Sequence, residues 1–196
     1  LLGLALAGWL TLAPLLVLRL TGRAQGSPEE LADAAATAVL GVRFFLLGRH
    51  GLALGALGLA VLVWLRLAPR VLRRLWRQRL AGPAFILVVA TEGLAVLAAE
   101  LAPREHATWL ELAAVVLLLA GVLAYALVLA NFQPRELLEA RGDHWIAGGA
   151  LAIAALACAS AAAADRSLRL PAPTHHALAL GALVLWIGAA AWTLVA

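Results

Sequence analysis

Glu92 stands in the run "PAFILVVATEGLAVLAAE" (83–100), nine residues beyond its proline. At about 1.5 Å per helical residue that puts the carboxyl near the middle of an apolar helix. Desolvation there favours the neutral acid unless a cation pairs with it. Arg43, in "ATAVLGVRFFLLGRHG" (36–51), is the cation within an apolar run that could do so. Charged groups inside such runs are costly, so they default to functional hypotheses. A buried, titratable glutamate can couple a proton or control the passage of an anion. A Glu92–Arg43 pair can equally do no more than hold two helices together.

Other residues carry weaker chemistry. Glu111 lies a few residues into its apolar segment and is expected to reach the membrane interface. In "GDHWIAGGALAIAAL" (142–156), Asp143 is a natural N-cap, Trp145 an interfacial anchor, and His144 stands beside the free N–H groups of a helix start, which attract anions. Gly148 and Gly149 either let helices pack closely or leave open volume along a passage. Gly51 and Gly55 have small-xxx-small spacing, a pattern too common to identify a function. His175 and His176 are adjacent and do not share a helical face, and no further ligands are spaced to complete a metal site with them. Cys158, the single cysteine, sits in an apolar run, which excludes a disulfide framework. No nucleophile elbow, zinc-protease, P-loop or dinucleotide-binding pattern occurs, so neither an enzyme nor a cofactor is expected.

The elements that must position these groups follow from composition. Hydrophobic residues make up 64% of the 196, charged ones 13%, and mean hydropathy is +0.96; soluble domains are about 45–50% apolar. The chain is therefore expected to lie in a membrane. Seven candidate spans of about 20 apolar residues fall near 1–20, 33–48, 51–75, 81–101, 107–131, 144–164 and 174–196. Proline- and charge-rich breaks separate them: "TGRAQGSPEE" (21–30), "GRHG" (48–51), "RLAPRVLRRLWRQR" (66–79), "APREH" (102–106), "NFQPRELLEARGD" (131–143) and "DRSLRLPAP" (165–173). The second segment is short and holds Thr37 and Arg43, so a broken or tilted helix facing protein is expected there. Pro83 suits the first turn of the fourth without a kink.

All fifteen cationic side chains are arginine. With seven crossings, ten of them share one face, including Arg19, Arg23, Arg66 and Arg135. Arg49, Arg104, Arg166 and Arg169 occupy the other, and Arg43 stays in the membrane. Arginine-rich short loops stay cytoplasmic, so residue 1 is expected outside and residue 196 inside a bacterial inner membrane. The net charge of +4 is then topology signal and lipid-headgroup contact rather than a nucleic-acid surface. With no methionine and apolar runs at both ends, the chain reads as a single transmembrane domain (1–196) that is part of a longer protein.

Three stretches in order, "ATAVLGVRFFLLGRHGLALGALGLAVLVWL" (36–65), "AFILVVATEGLAVLAAELA" (84–102) and "DHWIAGGALAIAALA" (143–157), resemble the tellurite-resistance/dicarboxylate transporter family, which includes the plant slow anion channels. The middle stretch is similar to that family's V-A-T-Q-S helix, with Thr91 matching and Gln-Ser replaced by Glu92-Gly93. The third is similar to its W-I-x-M-G-A helix, with Met-Gly replaced by Gly148-Gly149. The resemblance implies an all-α bundle of ten helices, five hairpins around a central pore, of which these spans are helices two to eight. It implies that 33–48, 81–101 and 144–164 line the pore, that the subunits form a homotrimer, and that the ninth-helix phenylalanine plugging the pore in characterised relatives lies outside this chain.

The expected function is transport of small anions, chloride-like or dicarboxylate, either channel-like or proton-coupled. Arg43, Thr91, Glu92, His144, Gly148 and Gly149 are the expected substrate or pore residues. A non-transporting membrane scaffold or assembly subunit is the alternative, and an intramembrane enzyme ranks behind both.

Overall fold

A computed structural model of the protein describes residues 2–18, 21, 27–75, 82–132, 145–168 and 172–194. Among the described residues seven α-helices occur: α1 (Leu2–Leu18), α2 (Ala32–Leu46), α3 (His50–Leu75), α4 (Ile86–Leu101), α5 (Thr108–Ala130), α6 (Trp145–Leu168) and α7 (Ala172–Trp192). Short 3-10 turns, Pro28–Leu31 and Gly82–Phe85, lead into α2 and α4. The protein is all-α, with no strand among the described residues. Five helical stretches, His50–Arg73, Gly82–Leu101, Thr108–Asn131, Trp145–Ala164 and Thr174–Trp192, are long and apolar enough to cross a membrane, consistent with a multi-pass membrane protein.

Helix α2 has 15 residues, or about 22 Å at 1.5 Å per residue, against a hydrocarbon core of roughly 30 Å. It is the short segment expected from the sequence. It ends where Gly48 takes φ +71, a conformation glycine adopts without a side-chain penalty. The Leu47 N–H then donates to the Arg43 carbonyl, the Gly48 N–H to Phe45 and the Arg49 N–H to Phe44, so the last carbonyls of the helix are satisfied within the turn. Helix α3 covers the span expected at 51–75 and carries the first arginines of the following break on its last turns. It continues through Pro69 to Leu75, and there Arg70 Nη1 and Arg73 Nε donate to the Arg66 and Pro69 carbonyls, each at 3.2 Å. Pro83 sits in the turn just before α4, where its missing N–H costs nothing.

Successive helices alternate in direction, so α2, α4 and α6 run parallel. Register confirms it. A Cβ built at Gly93 of α4 would lie 3.5 Å from the Ala38 side chain of α2 and 4.0 Å from that of Ile153 on α6; one built at Gly41 would meet Leu97. Two turns on, Ser160 Oγ of α6 donates to Glu100 Oε1 of α4 at 2.8 Å. These three helices form an inner row with α4 in the middle. Helices α3, α5 and α7 return on the outside, each packed against the helix before it, and α1 leans on α2.

Burial inverts the soluble pattern. Every residue from Ala90 to Ala99 is buried, most of them small, whereas large apolar side chains such as Leu112, Val116, Leu119 and Leu123 recur on one exposed stripe of α5. In lipid, apolar contact alone gives helices little reason to associate, so close approach of small residues and hydrogen bonds between helices take over.

One such bond occurs twice. Trp9 Nε1 of α1 donates to Thr37 Oγ1 of α2 at 3.0 Å, and Thr37 itself donates to the Asp33 carbonyl at 2.7 Å. Trp64 Nε1 of α3 donates to Thr91 Oγ1 of α4 at 2.9 Å, and Thr91 donates to the Leu87 carbonyl at 2.7 Å. The flanking sequences match as well. "WLTLAPLLVLRL" (9–20) and "WLRLAPRVLRRL" (64–75) agree at seven of twelve positions, and "ATAVLGV" (36–42) and "ATEGLAV" (90–96) at four of seven. Helices α1–α2 and α3–α4 are thus two copies of one unit, offset by 54 or 55 residues (37 to 91, 9 to 64).

Replacing Trp64 by Phe removes one donor and keeps the ring. Interhelical hydrogen bonds in membranes are worth about 0.6 kcal/mol on average, so Trp64→Phe and Trp9→Phe are each expected to lower stability by about that amount. Because the ties are separate, the double variant should lose the sum, read by reversible unfolding in mixed micelles.

Candidate functional site

Helix α4 carries the two carboxyls closest to any chemistry, Glu92 and Glu100, eight residues apart and in opposite surroundings. Glu92 is fully buried, and neither of its oxygens has a hydrogen-bond partner. Its side chain turns toward α5 and occupies the hollow left by Gly121, where an added Cβ would collide with the carboxyl. Thr91, its neighbour, turns to α3 and is held by Trp64. Gly93 faces the other way, between α2 and α6. Thr91 and Glu92 are therefore directed at the outer helices rather than at a space shared by the inner row.

The expected partnership of Glu92 with Arg43 does not form. Arg43 lies in the last turn of α2 and is exposed, while Glu92 is sealed inside the bundle. From the pairing of Ala38 with Gly93, Arg43 stands five residues further along the parallel row. Glu92 lies one residue before Gly93, so Arg43 and Glu92 are six positions apart along the axis, about 9 Å by helical rise before any sideways offset. Glu111 also departs from expectation: it is buried at the start of α5 rather than reaching the interface. A first-turn position limits depth along the helix but not which side of the helix faces protein.

Gly148 and Gly149 have different roles. A Cβ on Gly148 would lie 2.9 Å from Cδ1 of Trp192, so this glycine seats the indole of α7 against α6. Gly149 is exposed with nothing within 4 Å of an added Cβ. Both border a cavity of about 380 Å³ between α6 and α7, walled by Trp145, Trp186 and Trp192. Asp143 and His144 lie outside the described residues. His175 and His176 stack edge to face at 6.0 Å, and His175 Nδ1 approaches the Ala162 carbonyl at 3.1 Å; among the described residues no cluster could hold a metal ion.

Two more cavities among the described residues bear on the candidate groups. One of about 280 Å³ lies between α1 and α2, bordered by Trp9, Asp33 and apolar side chains. The other, of about 360 Å³, opens where the ends of α2, α4 and α6 converge, and is lined by Phe45, Glu100, Arg104 and Ser160 with alanines between them. None of these three cavities is lined by Arg43, Thr91 or Glu92. The residues singled out from sequence are thus spread along the bundle instead of meeting in one place. The Glu100–Ser160–Arg104 group was not among them. Its signal was present in "AAELAPREH" (98–106), where an acid and a base stand four apart at a helix end.

Comparison of the chain with family models, with curated proteins and with solved structures finds no match.

The niche at Gly121 predicts a coupled pair. Gly121→Ala alone should cost roughly 1–3 kcal/mol by overpacking, and in a Glu92→Ala background the same change should cost much less, a non-additivity measurable by a double-mutant cycle. On α6 the signs should differ: Gly148→Ala destabilises by displacing Trp192, whereas Gly149→Ala stabilises by about 0.5–1 kcal/mol through helix propensity. Unfolding midpoints of the two single variants on opposite sides of wild type are the expected result.

Proposed function

We propose that the protein moves small anions, chloride-like or dicarboxylate, across a bacterial inner membrane, as its resemblance to the tellurite-resistance/dicarboxylate transporter family implies. The observation that carries this reading is the inner row: α2, α4 and α6 run parallel and side by side, each followed by a returning outer helix. Three consecutive hairpins of a larger bundle would set their first helices side by side in this way, although the all-round burial of Ala90–Ala99 leaves the middle of α4 no open face on a pore. The arginine bias supports the orientation with residue 1 outside and residue 196 in the cytoplasm. In the same reading the subunits form a homotrimer and each holds its own pore.

The sealed position of Glu92 narrows its part in this function. An anion cannot touch a carboxyl enclosed by α4 and α5, so Glu92 acts either as a proton site reached when the α4–α5 contact opens or as a packing group. The dispersal of the candidate residues favours one rival, a non-transporting scaffold or assembly subunit, in which Glu92 has the packing role alone.

Flux into liposomes holding the full gene product, under opposed anion and proton gradients, separates these readings. Anion movement that follows the proton gradient and loses its pH dependence in Glu92→Gln is the expected result for a coupled carrier. Movement that follows the anion gradient alone, with wild-type behaviour in Glu92→Gln, makes the protein a channel. No flux under either gradient would overturn the transport reading in favour of the scaffold.

A further inference from the structure

The cavity at the converging ends of α2, α4 and α6 holds one acid and one base that are not joined to each other. Glu100 is half-buried at the end of α4, and its Oε1 accepts from Ser160 Oγ at 2.8 Å. That bond, from the neighbouring inner helix, fixes the carboxyl in the wall and leaves its other oxygen without a donor among the described residues. Arg104, one turn on, lines the same cavity and is exposed. No ion pair links them among the described residues, although residues four apart on a continuing helix commonly pair. The chain turns at this point: the Arg104 and Glu105 N–H groups both donate to the Leu101 carbonyl, and His106 takes φ 50. Glu100 and Arg104 thus share one cavity wall without an ion pair between them.

Phe45 supplies an aromatic wall from the end of α2, and Ala99, Ala163 and Ala164 keep the space open. The carboxyl-terminal ends of α2 and α4 lie at this end of the bundle, and their partial negative charge favours a cationic group. A bare anion fits poorly beside Glu100 and these helix ends, and a bare cation fits poorly beside Arg104. A ligand with both charges satisfies the whole wall.

We infer that this cavity binds a small zwitterion, its anionic group held by Arg104 and its ammonium by Glu100 and the face of Phe45. An ammonium over an aromatic face gains a cation–π contribution, and Ser160 acts as a positioning residue for the carboxyl. The site is independent of anion transport and of Glu92. Its ligand chemistry has two sources, a free amino acid or a zwitterionic lipid headgroup.

The test is thermal unfolding of the full gene product in phosphatidylglycerol nanodiscs, followed by tryptophan fluorescence. Glycine, β-alanine and γ-aminobutyrate are added in turn, with acetate and methylammonium at matched ionic strength as single-charge controls. A ligand of the folded state raises Tm with concentration. At least one amino acid of the length series is expected to do so, and neither control. Glu100→Gln and Arg104→Gln should each abolish the shift, and Ser160→Ala should weaken it. Ala163→Leu, which fills the cavity at an exposed position and leaves both charges in place, should abolish it too; it serves if a charge variant fails to fold.

Phosphatidylethanolamine added to the discs distinguishes the sources. A headgroup ligand raises Tm and removes the response to the amino acid; a free ligand acts equally in both discs. An equal shift with acetate, no shift with any member of the series in either disc, or a shift that survives in both charge variants would overturn the inference. Because binding is read without flux, loss of the transport reading leaves it standing, and the reverse.

Discussion

Helix α4 is enclosed on every side, and the rest of the bundle is arranged by that enclosure. A helix satisfies its own backbone hydrogen bonds, which is what allows it to sit wholly inside other helices in a medium without water. The cost falls on its side chains. Each must either be small enough to let a neighbour approach or find a polar partner across the contact. Ala38 of α2 meets Gly93, α6 reaches the same glycine with Ile153, α3 donates Trp64 to Thr91, and α5 gives up a side chain at Gly121 for Glu92. Four neighbours are thus placed by three consecutive residues, Thr91, Glu92 and Gly93, within a single turn of α4.

Two carboxyls on this helix show how strongly azimuth decides chemistry. Eight residues separate Glu92 from Glu100, about 12 Å along the axis. The first is walled in by α5 with no donor, and the second is bonded by α6 beside an open cavity. Composition treats them alike. Their surroundings make one a closed group, reachable only by separating helices, and the other a surface on which a ligand can act.

Much of the helical architecture was legible in the residues because length and breaks carry it. The seven apolar segments became helices, five of them long and apolar enough to cross a membrane rather than the seven expected, the short second one stayed short, and Pro83 opened the fourth. What remained hidden was rotation about each helix axis. In a soluble helix the polar face announces the outside, but here lipid and protein are both apolar, so no periodic contrast marks which side is buried. That is why Glu111 turned inward unannounced, why Arg43 and Glu92 were expected to meet, and why Gly148 and Gly149 looked alike although one seats Trp192 and the other faces nothing. The Trp-Leu-x-Leu-Ala-Pro match between residues 9–14 and 64–69 is a different case: comparing the chain with itself exposes it without any structure.

That duplication has an evolutionary consequence. Each copy crosses the bundle twice, down through a Trp-bearing helix and back through a Thr-bearing one, and so returns the chain to the side from which it set out. Adding or deleting a whole copy leaves every later helix running in its original direction through the bundle, whereas adding half a copy would invert them all. A lineage built from such modules can change the number of its hairpins without relearning which way to insert.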